Sequence, residues 1–271
     1  MEEKTPDDRS QFEVIAGVTF LLIALAILLL MIIPIPMLLL DILIAINIIF
    51  ALIIFLIVLH ARKASGFSLL PTILLVSTIF SMVLNTTATR LILTKGADFD
   101  GRLIRFISTV FFRSEEITDL IIGFAIFIVI IAIHTNVIAK VAFRVTEVAR
   151  RFTIDSIPIK YMGIDIEYSS SSITEEEAQR RKTQIQKESN FYGSMDGAGK
   201  FITGYEKVKL YIIAVIIIGG ILIGTLYNGK SVNEAIVTYI PLAVGSGILF
   251  LIPSLLVSIA MGITVTKYNF N

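Results

Sequence analysis

Long apolar runs, separated by short polar segments and by one long polar segment, dominate the hydrophobicity pattern of this chain. Six of the apolar runs are long enough for a helix to cross the roughly 30 Å hydrocarbon core of a bilayer. In chain order they are Val14–Ile33, Met37–Leu59, Phe67–Leu93, Ile117–Ala139, Val208–Tyr227 and Ile236–Val265. They do not alternate polar and apolar residues as barrel strands do. The pattern therefore predicts an all-α, polytopic transmembrane protein.

The number of crossings depends on two of these runs. The third and the sixth are long and contain polar residues, so each is either one helix or a broken or re-entrant pair. Six to eight crossings are therefore predicted. Pro34 and Pro36 lie between the first two runs, and proline ends a helix because it fixes φ and lacks an N–H group. The first two runs are thus expected to form an antiparallel hairpin.

The long polar segment divides the chain into three parts. We predict an N-terminal transmembrane bundle at residues 1–139, a small cytoplasmic charged module at 140–207 and a C-terminal transmembrane hairpin at 208–271. Most Lys and Arg residues then lie on one side, so the positive-inside rule favours a multi-pass protein with both termini in the cytoplasm. This topology puts the basic residues of the segment 90–113 on the outer side of the membrane, against the positive-inside rule. A re-entrant hairpin or an amphipathic helix in this segment would remove the conflict.

The composition agrees with a lipid environment and excludes several kinds of chemistry. Hydrophobic residues make up 55% of the chain and charged residues 17%, against about a quarter charged in soluble domains. A net charge of +1 gives no indication of a nucleic-acid partner, and the absence of cysteine removes disulfides and thiolate metal sites. The segment Gly193–Lys200 lacks the first Gly and the final Ser or Thr of a phosphate-binding loop, so no cofactor is expected. His60 and His134 are isolated, make no metal site, and are interpreted as interfacial residues.

Polar side chains inside the apolar runs are the first candidates for function. Such groups are unfavourable at membrane depth and normally face the bundle interior or water. The candidates are Asp41, Asn47, Asn85 and Arg90. Asp41 follows a turn and is therefore either an interfacial helix cap or a buried group. Gly220 and Gly224 form a GxxxG pattern, which predicts close helix packing, with a hinge as the alternative.

The charged module has the sequence of a helical segment. Ser172 with Glu175, and Thr174 with Glu177, fit the spacing of a capping box. Ion pairs at i,i+4 spacing are predicted for Glu176–Arg180, Glu177–Arg181, Glu147–Arg151 and Arg151–Asp155. The residues near Arg151 are either interfacial anchors or a charged collar at the mouth of a pore.

An ordered series of short motifs extends through the chain. It is densest at Arg144, Glu147–Ala149, Arg151–Asp155, Phe191–Gly193, Met195–Ala198, Lys200–Phe201, Ile252–Pro253 and Val265–Lys267. In these motifs the chain resembles the FHIPEP family, the large export-gate subunit of flagellar and virulence type III secretion systems.

The resemblance implies a protein of the bacterial inner membrane that is not an enzyme. It implies a homo-oligomeric ring in the lipid bilayer that works with other type III export membrane subunits. Such a ring helps to couple the proton-motive force to the export of unfolded proteins. The gating or proton-coupling candidates implied by the motifs are Arg144, Arg151, Asp155, Asp196 and Lys200.

The chain departs from the family pattern at two acidic positions. Tyr205 stands where the family has an acid directly after a glycine, and Ser246 stands where it has an acid between two glycines. Serine cannot hold charge as a carboxylate does. Glu206 offers a replacement for the first acid, displaced by one residue. Two further functional interpretations therefore stay open: a shortened, non-transporting scaffold paralogue, and an unrelated channel or secondary transporter, which is disfavoured because the two halves are dissimilar.

The family continues into a large cytoplasmic domain, whereas the given sequence ends at Asn271. The resemblance therefore predicts a chain truncated after its membrane region, as a fragment, a split subunit or a shortened relative.

Overall fold

A computed structural model of the chain describes residues 35–60, 69–112 and 116–268, together with positions 25, 29 and 33. Seven α-helices occupy these residues. They are α1 (Met37–His60), α2 (Leu70–Lys95), α3 (Arg102–Phe111), α4 (Ile117–Ile133), α5 (Lys140–Ser169), α6 (Glu175–Leu222) and α7 (Val232–Tyr268). No strand occurs in the part of the chain described here. The predicted first span, Val14–Ile33, lies outside it apart from three isolated positions.

Two π-helical turns extend the long helices without breaking them. The turn His134–Ala139 joins α4 to α5, and the turn Ile223–Tyr227 continues α6. The result is two helices of 53 residues each, Ile117–Ser169 and Glu175–Tyr227. Each has an apolar part long enough to cross a bilayer and a polar part that extends well beyond it.

Five helices in the described residues are long and apolar enough to cross a membrane. The predicted all-α, polytopic class is therefore confirmed, and the chain is a multi-pass membrane protein. The third and sixth apolar runs form the unbroken helices α2 and α7, so the broken or re-entrant alternatives are wrong for them. α7 stays continuous although it contains Pro241 and Pro253. Prolines are tolerated in membrane helices because neighbouring helices and side chains satisfy the freed backbone groups.

α7 is the central helix of the bundle and packs against each of the other six. Its closest approach to α6 lies at Tyr239, where a Cβ added to Gly220 would be 2.3 Å from Tyr239 Cδ1. A Cβ on Gly224 would be 3.0 Å from Ala235 Cβ. The close packing predicted from the GxxxG pattern is thus confirmed, since only glycine leaves room for this crossing.

The short helix α3 lies against α7 on the side of the bundle where α2 ends and α4 begins. Ile104 and Ser108 are buried, whereas Phe106 and Val110 are exposed on the opposite face. The carboxylate of Asp41 accepts hydrogen bonds from the backbone N–H groups of Arg102, at 2.9 Å, and Leu103. An amphipathic helix therefore occupies the segment whose basic residues conflicted with the positive-inside rule, and Asp41 caps that helix from a buried position.

The polar parts of α5 and α6 pack together as an antiparallel helical hairpin. A small apolar core of Ile164, Ala178 and Ile185 lies between them. Ion pairs between the two helices join Lys160 to Glu188 at 3.0 Å and Lys182 to Asp165 at 2.6 Å. These contacts hold the hairpin together outside the membrane-crossing bundle.

The capping and ion-pair predictions for the hairpin have mixed outcomes. Thr174 Oγ1 accepts a hydrogen bond from Glu177 N at 3.2 Å, and Glu177 pairs with Arg181 at 2.8 Å, both as predicted. The prediction that Glu176 pairs with Arg180 is wrong, because Arg180 pairs with Glu177 at i,i+3 spacing instead. Hydrogen bonds from Arg180 and then Arg181 hold the pKa of the Glu177 carboxyl below its ordinary value.

Candidate functional site

Three ionisable side chains meet inside the bundle. Glu206 Oε2 lies 3.0 Å from His134 Nε2, and Glu206 Oε1 lies 2.8 Å from Lys209 Nζ. Ser254 Oγ donates a hydrogen bond to the same carboxylate. The side chains of His134, Glu206 and Lys209 are only 2–4% exposed. We call His134, Glu206, Lys209 and Ser254 the buried charge cluster.

Three different helical segments supply the cluster. Glu206 and Lys209 lie one turn apart on α6, so both side chains point to the same side of that helix. Ser254 follows Pro253 on α7, and His134 is the first residue of the π-helical turn between α4 and α5. A π-helical turn inserts an extra residue into the helical repeat and is frequently found at functional sites.

A second polar contact links the cluster to α2. Lys209 Nζ lies 5.1 Å from the centroid of the Tyr205 ring, a geometry that allows a cation–π interaction. The hydroxyl of Tyr205 accepts a hydrogen bond from Asn85 Nδ2 at 3.4 Å. A continuous layer of polar side chains therefore crosses the bundle from α2 through α6 to α4 and α7.

The cluster lies at the hairpin side of the membrane-crossing region. With a rise of about 1.5 Å per residue, Glu206 is roughly 30 Å along α6 from Tyr227, which is about the thickness of the hydrocarbon core. A second charged group lies further along the hairpin, where Asp196 pairs with Lys200 at 2.9 Å and approaches Arg150 Nε at 3.6 Å. The two charged groups therefore follow one another along α6, from the edge of the bundle into the hairpin.

The physical chemistry of the cluster favours a role in proton handling. Charged groups in the interior of a membrane protein are unfavourable and characteristically mark ion or proton pathways. His134 Nε2 and Glu206 Oε2, 3.0 Å apart, are within the distance at which a proton can pass between two side chains. Within the described residues, no three His, Asp or Glu side chains are grouped so that they could hold a metal ion.

The predicted gating residues occupy two different places. Asp196 and Lys200 form an ion pair, as described above, and Asp196 is buried. Arg144, Arg151 and Asp155 are exposed on α5. In the part of the chain that the structure describes, neither Glu147–Arg151 nor Arg151–Asp155 is an ion pair, so both predicted pairs are wrong. Arg150, another of the charges at helical spacing after the fourth apolar run, is the α5 residue that faces Asp196.

The polar residues predicted inside the membrane are mostly used for packing. Asn47 Oδ1 accepts a hydrogen bond from Ser81 Oγ at 2.9 Å, which joins α1 to α2. Arg90 is partly buried on α2. Thr86, Thr87 and Thr89 donate to backbone carbonyls one turn earlier. Asn85 reaches the layer that contains the charge cluster, through its hydrogen bond to Tyr205.

His134 is not a lone residue exposed at the membrane surface, because its side chain is buried against Glu206. The apolar run that contains it ends only a few residues later, which placed it near the membrane surface in the sequence. The helix continues through this point, and the π-helical turn directs His134 towards α6, where its side chain is 4% exposed. His60 is exposed at the end of α1, as an interfacial residue would be. The sequence signal for the site was the Glu206–Lys209 pair, two opposite charges at helical spacing where an apolar run begins.

Fold and site together define a polytopic helical membrane protein with a buried charge cluster at the base of a polar helical hairpin. The FHIPEP family model matches residues 27–271. The chain therefore belongs to the FHIPEP family, and the resemblance seen in the sequence motifs is confirmed. No solved structure matches the chain.

Curated relatives are similar to most of this chain. The flagellar biosynthesis protein FlhA of Borreliella burgdorferi is 50% identical over 228 residues, which cover 84% of this chain and 33% of the relative. FlhA of Bacillus subtilis is 42% identical over 229 residues, covering 84% and 33%. FlhA of Salmonella typhimurium is 34% identical over 263 residues, covering 96% and 37%. The chain thus spans about a third of the length of the curated relatives it matches.

Proposed function

We propose that this chain is a membrane subunit of a flagellar type III export gate and helps to couple the proton-motive force to protein export. It acts as a transport component and not as an enzyme. The flagellar assignment rests on the names of the curated relatives, which are flagellar biosynthesis proteins. The observation that carries the coupling role is the Glu206 carboxylate, which is buried among His134, Lys209 and Ser254.

The position of Glu206 supports a gate over a non-transporting scaffold. The family pattern has its acid at position 205, where this chain has a tyrosine. One residue along a helix rotates a side chain by about 100°. Tyr205 consequently faces Asn85 on α2, whereas Glu206 faces α4 and α7. This chain therefore keeps an acid in the bundle at the neighbouring position. That acid faces α4 and α7, whereas position 205 faces α2.

The proposed orientation places both termini and residues 140–207 in the bacterial cytoplasm, with the chain in the inner membrane. Ion pairs such as Lys160–Glu188 and Lys182–Asp165 are partly exposed and need water around them. Because the chain contains no cysteine, single cysteines at exposed sites can be labelled cleanly. We expect Gln184→Cys, on the hairpin, to react with a membrane-impermeant thiol reagent only after the cytoplasmic side is opened. Reaction in intact spheroplasts would overturn the orientation.

The proposed partners follow from the same role. They are further copies of this chain in a ring, the other membrane subunits of the export apparatus and the unfolded proteins that are exported. The lipid bilayer is the fourth partner, because many large apolar side chains of α1 and α4 are exposed, including Ile42, Ile49, Ile121 and Val129.

The proposal is tested by replacing Glu206 in the natural host. Glu206→Gln keeps the shape of the side chain and removes its ability to exchange a proton. The matched control is Glu188→Gln, which removes an acid from the exposed Lys160–Glu188 pair on the same helix. We expect Glu206→Gln to abolish swimming and secretion of flagellar proteins at an unchanged amount of chain in the membrane, and Glu188→Gln to retain both.

Three outcomes of that experiment are informative. Normal secretion by Glu206→Gln would exclude this carboxylate from coupling. Loss of the whole export apparatus from the membrane in Glu206→Gln cells, with the chain itself still present, would favour the scaffold. Swimming cells that lack the entire chain would overturn the flagellar assignment.

A further inference from the structure

A cavity lies at the end of the bundle away from the hairpin, between α3 and the first turns of α7. Its volume is about 700 Å³, within the range of pockets that hold a small-molecule ligand. Leu120 of α4 lines it, as do Ala97, between α2 and α3, and Lys230, between α6 and α7. None of the described residues that line it belongs to the buried charge cluster, so the cavity is a separate site.

Two cations that line this cavity have no acid to neutralise them. Neither Arg105 nor Lys230 forms an ion pair within the part of the chain that the structure describes. The guanidinium of Arg105 donates hydrogen bonds to the backbone carbonyls of Phe99 and Ala97, the latter at 2.7 Å. A guanidinium has five N–H groups, so donors remain for a ligand. The two bonds to the backbone hold the guanidinium in place before a ligand binds.

The acid among the described lining residues, Glu234, is already used by the fold. Its carboxylate accepts a hydrogen bond from Ser231 N at 2.8 Å, and Ser231 Oγ accepts one from Glu234 N at 3.3 Å. This reciprocal pair is a capping box at the start of α7. The lining therefore keeps an excess of positive charge, which favours an anionic ligand.

Part of the cavity wall is apolar, which favours a lipid over a small anion in solution. A phospholipid joins a charged head group to apolar chains, so it matches a site that combines cations with apolar side chains. A small anion would gain nothing from the apolar part. The apolar residues of the wall are Phe112, Leu120, Val237 and Leu242.

The cavity also lies next to the outward surface of α3. Arg105 and Thr109 line the cavity, and each is followed by an exposed apolar residue, Phe106 at 62% and Val110 at 60% exposed. One residue along a helix rotates a side chain by about 100°. Lipid that covers Phe106 and Val110 therefore borders the cavity, and a head group can enter it from the bilayer.

Both cations lie at the height expected for head groups. Lys230 lies in the connection between the membrane-crossing helices α6 and α7, and Arg105 reaches Ala97 in the connection from α2 to α3. The ends of membrane-crossing helices lie near the head groups. In the proposed orientation this is the outer side, where the positive-inside rule disfavours cations. An anionic ligand at this height gives these two cations a function there.

We propose that this cavity binds the head group of an anionic phospholipid, with the phosphate held between Arg105 and Lys230. Basic pockets between membrane helices bind anionic head groups in this way. A head group that carries an ammonium, as in phosphatidylethanolamine, binds less well, because Glu234 is engaged with the backbone of Ser231. The inference goes beyond the proposed function and takes from it only the assignment of the cavity to the outer side of the membrane.

Fluorescence quenching by brominated lipids tests the site in vesicles. The chain has no tryptophan, so Phe106→Trp introduces a single fluorophore beside the cavity. Ile49→Trp is the matched control, because Ile49 is exposed on α1 and does not line the cavity. Each chain is reconstituted in phosphatidylcholine vesicles that contain the same fraction of either brominated phosphatidylglycerol or brominated phosphatidylethanolamine.

We expect brominated phosphatidylglycerol to quench Phe106→Trp more strongly than brominated phosphatidylethanolamine does, and the two lipids to quench Ile49→Trp equally. Equal quenching of Phe106→Trp by the two lipids would overturn the inference. The same preference in Ile49→Trp would also overturn it, because the attraction would then be a property of the whole lipid-facing surface.

Substitution of the cations in the Phe106→Trp chain tests whether they hold the head group. One cation close to an anionic lipid changes its affinity about fivefold, so Lys230→Gln and Arg105→Gln should each weaken the preference by about that factor. Arg105 also supports the connection before α3, whereas Lys230 makes no hydrogen bond within the described residues, so Lys230→Gln tests binding without a change of fold. Lys187→Gln, which removes an exposed cation of the hairpin, should keep the preference. An unchanged preference in the double variant would overturn the inference.

Competition with inorganic phosphate distinguishes a lipid from a free anion. Replacing chloride by phosphate at constant ionic strength should leave the preference for phosphatidylglycerol unchanged, because the apolar wall contributes only to lipid binding. Loss of the preference would assign the cavity to a free phosphate and would overturn the lipid as its occupant.

Discussion

Two groups of charges in this protein use the same residue types in opposite surroundings. In the buried charge cluster, Glu206 lies among side chains from three helical segments and shares its carboxylate among Lys209, His134 and Ser254. In the hairpin, Glu188 pairs with Lys160 at 3.0 Å, the same distance that separates Glu206 from His134. The hairpin pair, however, is partly exposed to solvent. Burial, and not distance, therefore decides how much each pair contributes to stability and what it can do.

The contrast follows from the energy of charges away from water. Removing one member of a buried pair leaves an uncompensated charge that water cannot reach, whereas an exposed charge is simply solvated again. The buried cluster is consequently sensitive to each of its members and suited to respond to a proton. The ion pairs of the hairpin can be altered one at a time with little effect on stability. They mainly keep the hairpin soluble and fix how α5 and α6 align along each other.

The largest effect is expected from Lys209→Met. This change leaves Glu206 without its closest cation, and breaking a buried pair in this way costs about 3–5 kcal/mol. The free energy of unfolding, measured by detergent titration of the purified chain, should fall accordingly. Adding Glu206→Gln to the same chain should recover part of the loss, because no buried charge is then left alone. An equal or greater loss in the double variant would contradict the contrast between the two regions.

A smaller effect is expected from Gly220→Ala. The new methyl group would lie 2.3 Å from Tyr239 Cδ1, so α6 and α7 must separate. Overpacking of this kind costs about 1–3 kcal/mol, measured as a lower free energy of unfolding. Unchanged stability would show that the crossing of α6 and α7 is looser than the structure has it.

The matched glycine in the hairpin should respond with the opposite sign. No atom lies within 4 Å of a Cβ added to Gly197, which is exposed on α6. Gly197→Ala should therefore raise the free energy of unfolding by about 0.5–1 kcal/mol, since alanine loses less backbone entropy in a helix. A loss of stability in the isolated chain would mean that this helix face is already packed.

The smallest effect is expected from Glu188→Gln. An exposed ion pair contributes about 0–1 kcal/mol, and less at high salt. The unfolding midpoint of the variant should stay close to that of the unchanged chain and should not depend on salt more strongly. A loss as large as that of Lys209→Met would remove the distinction between the two regions.

The sequence predicted the helical membrane class because apolar runs of spanning length are a local property. It also predicted the GxxxG crossing and a helix start capped by Ser172 or Thr174, of which the structure uses Thr174, from residues that are close together in the chain. The charge cluster was not predicted as a unit, because His134, Glu206 and Ser254 come from three helices. Which side of each helix faces its neighbours depends on packing of the whole bundle and on the π-helical turn at His134, neither of which is visible as a local pattern.

The continuity of the long helices was equally beyond the sequence. The spacing of the charges after Ala139 predicted helical structure there, but no local pattern indicated that this helix is continuous with the fourth apolar run. α4 instead continues into α5, and this places Arg151 and Asp155 on one exposed face and Arg150 next to Asp196. The division of these charges between an inner and an outer face follows from helix geometry once the helix is known to continue.

The most direct test of the proton-handling role is whether the Glu206 carboxyl changes its protonation when the pH changes. Infrared difference spectra of the chain in lipid vesicles, recorded between two pH values, report protonated carboxyl groups. We predict a component at the high frequency of a carboxyl shielded from water, which is lost in Glu206→Gln and kept in Glu188→Gln. Identical spectra of the unchanged chain and Glu206→Gln would contradict the proposed function.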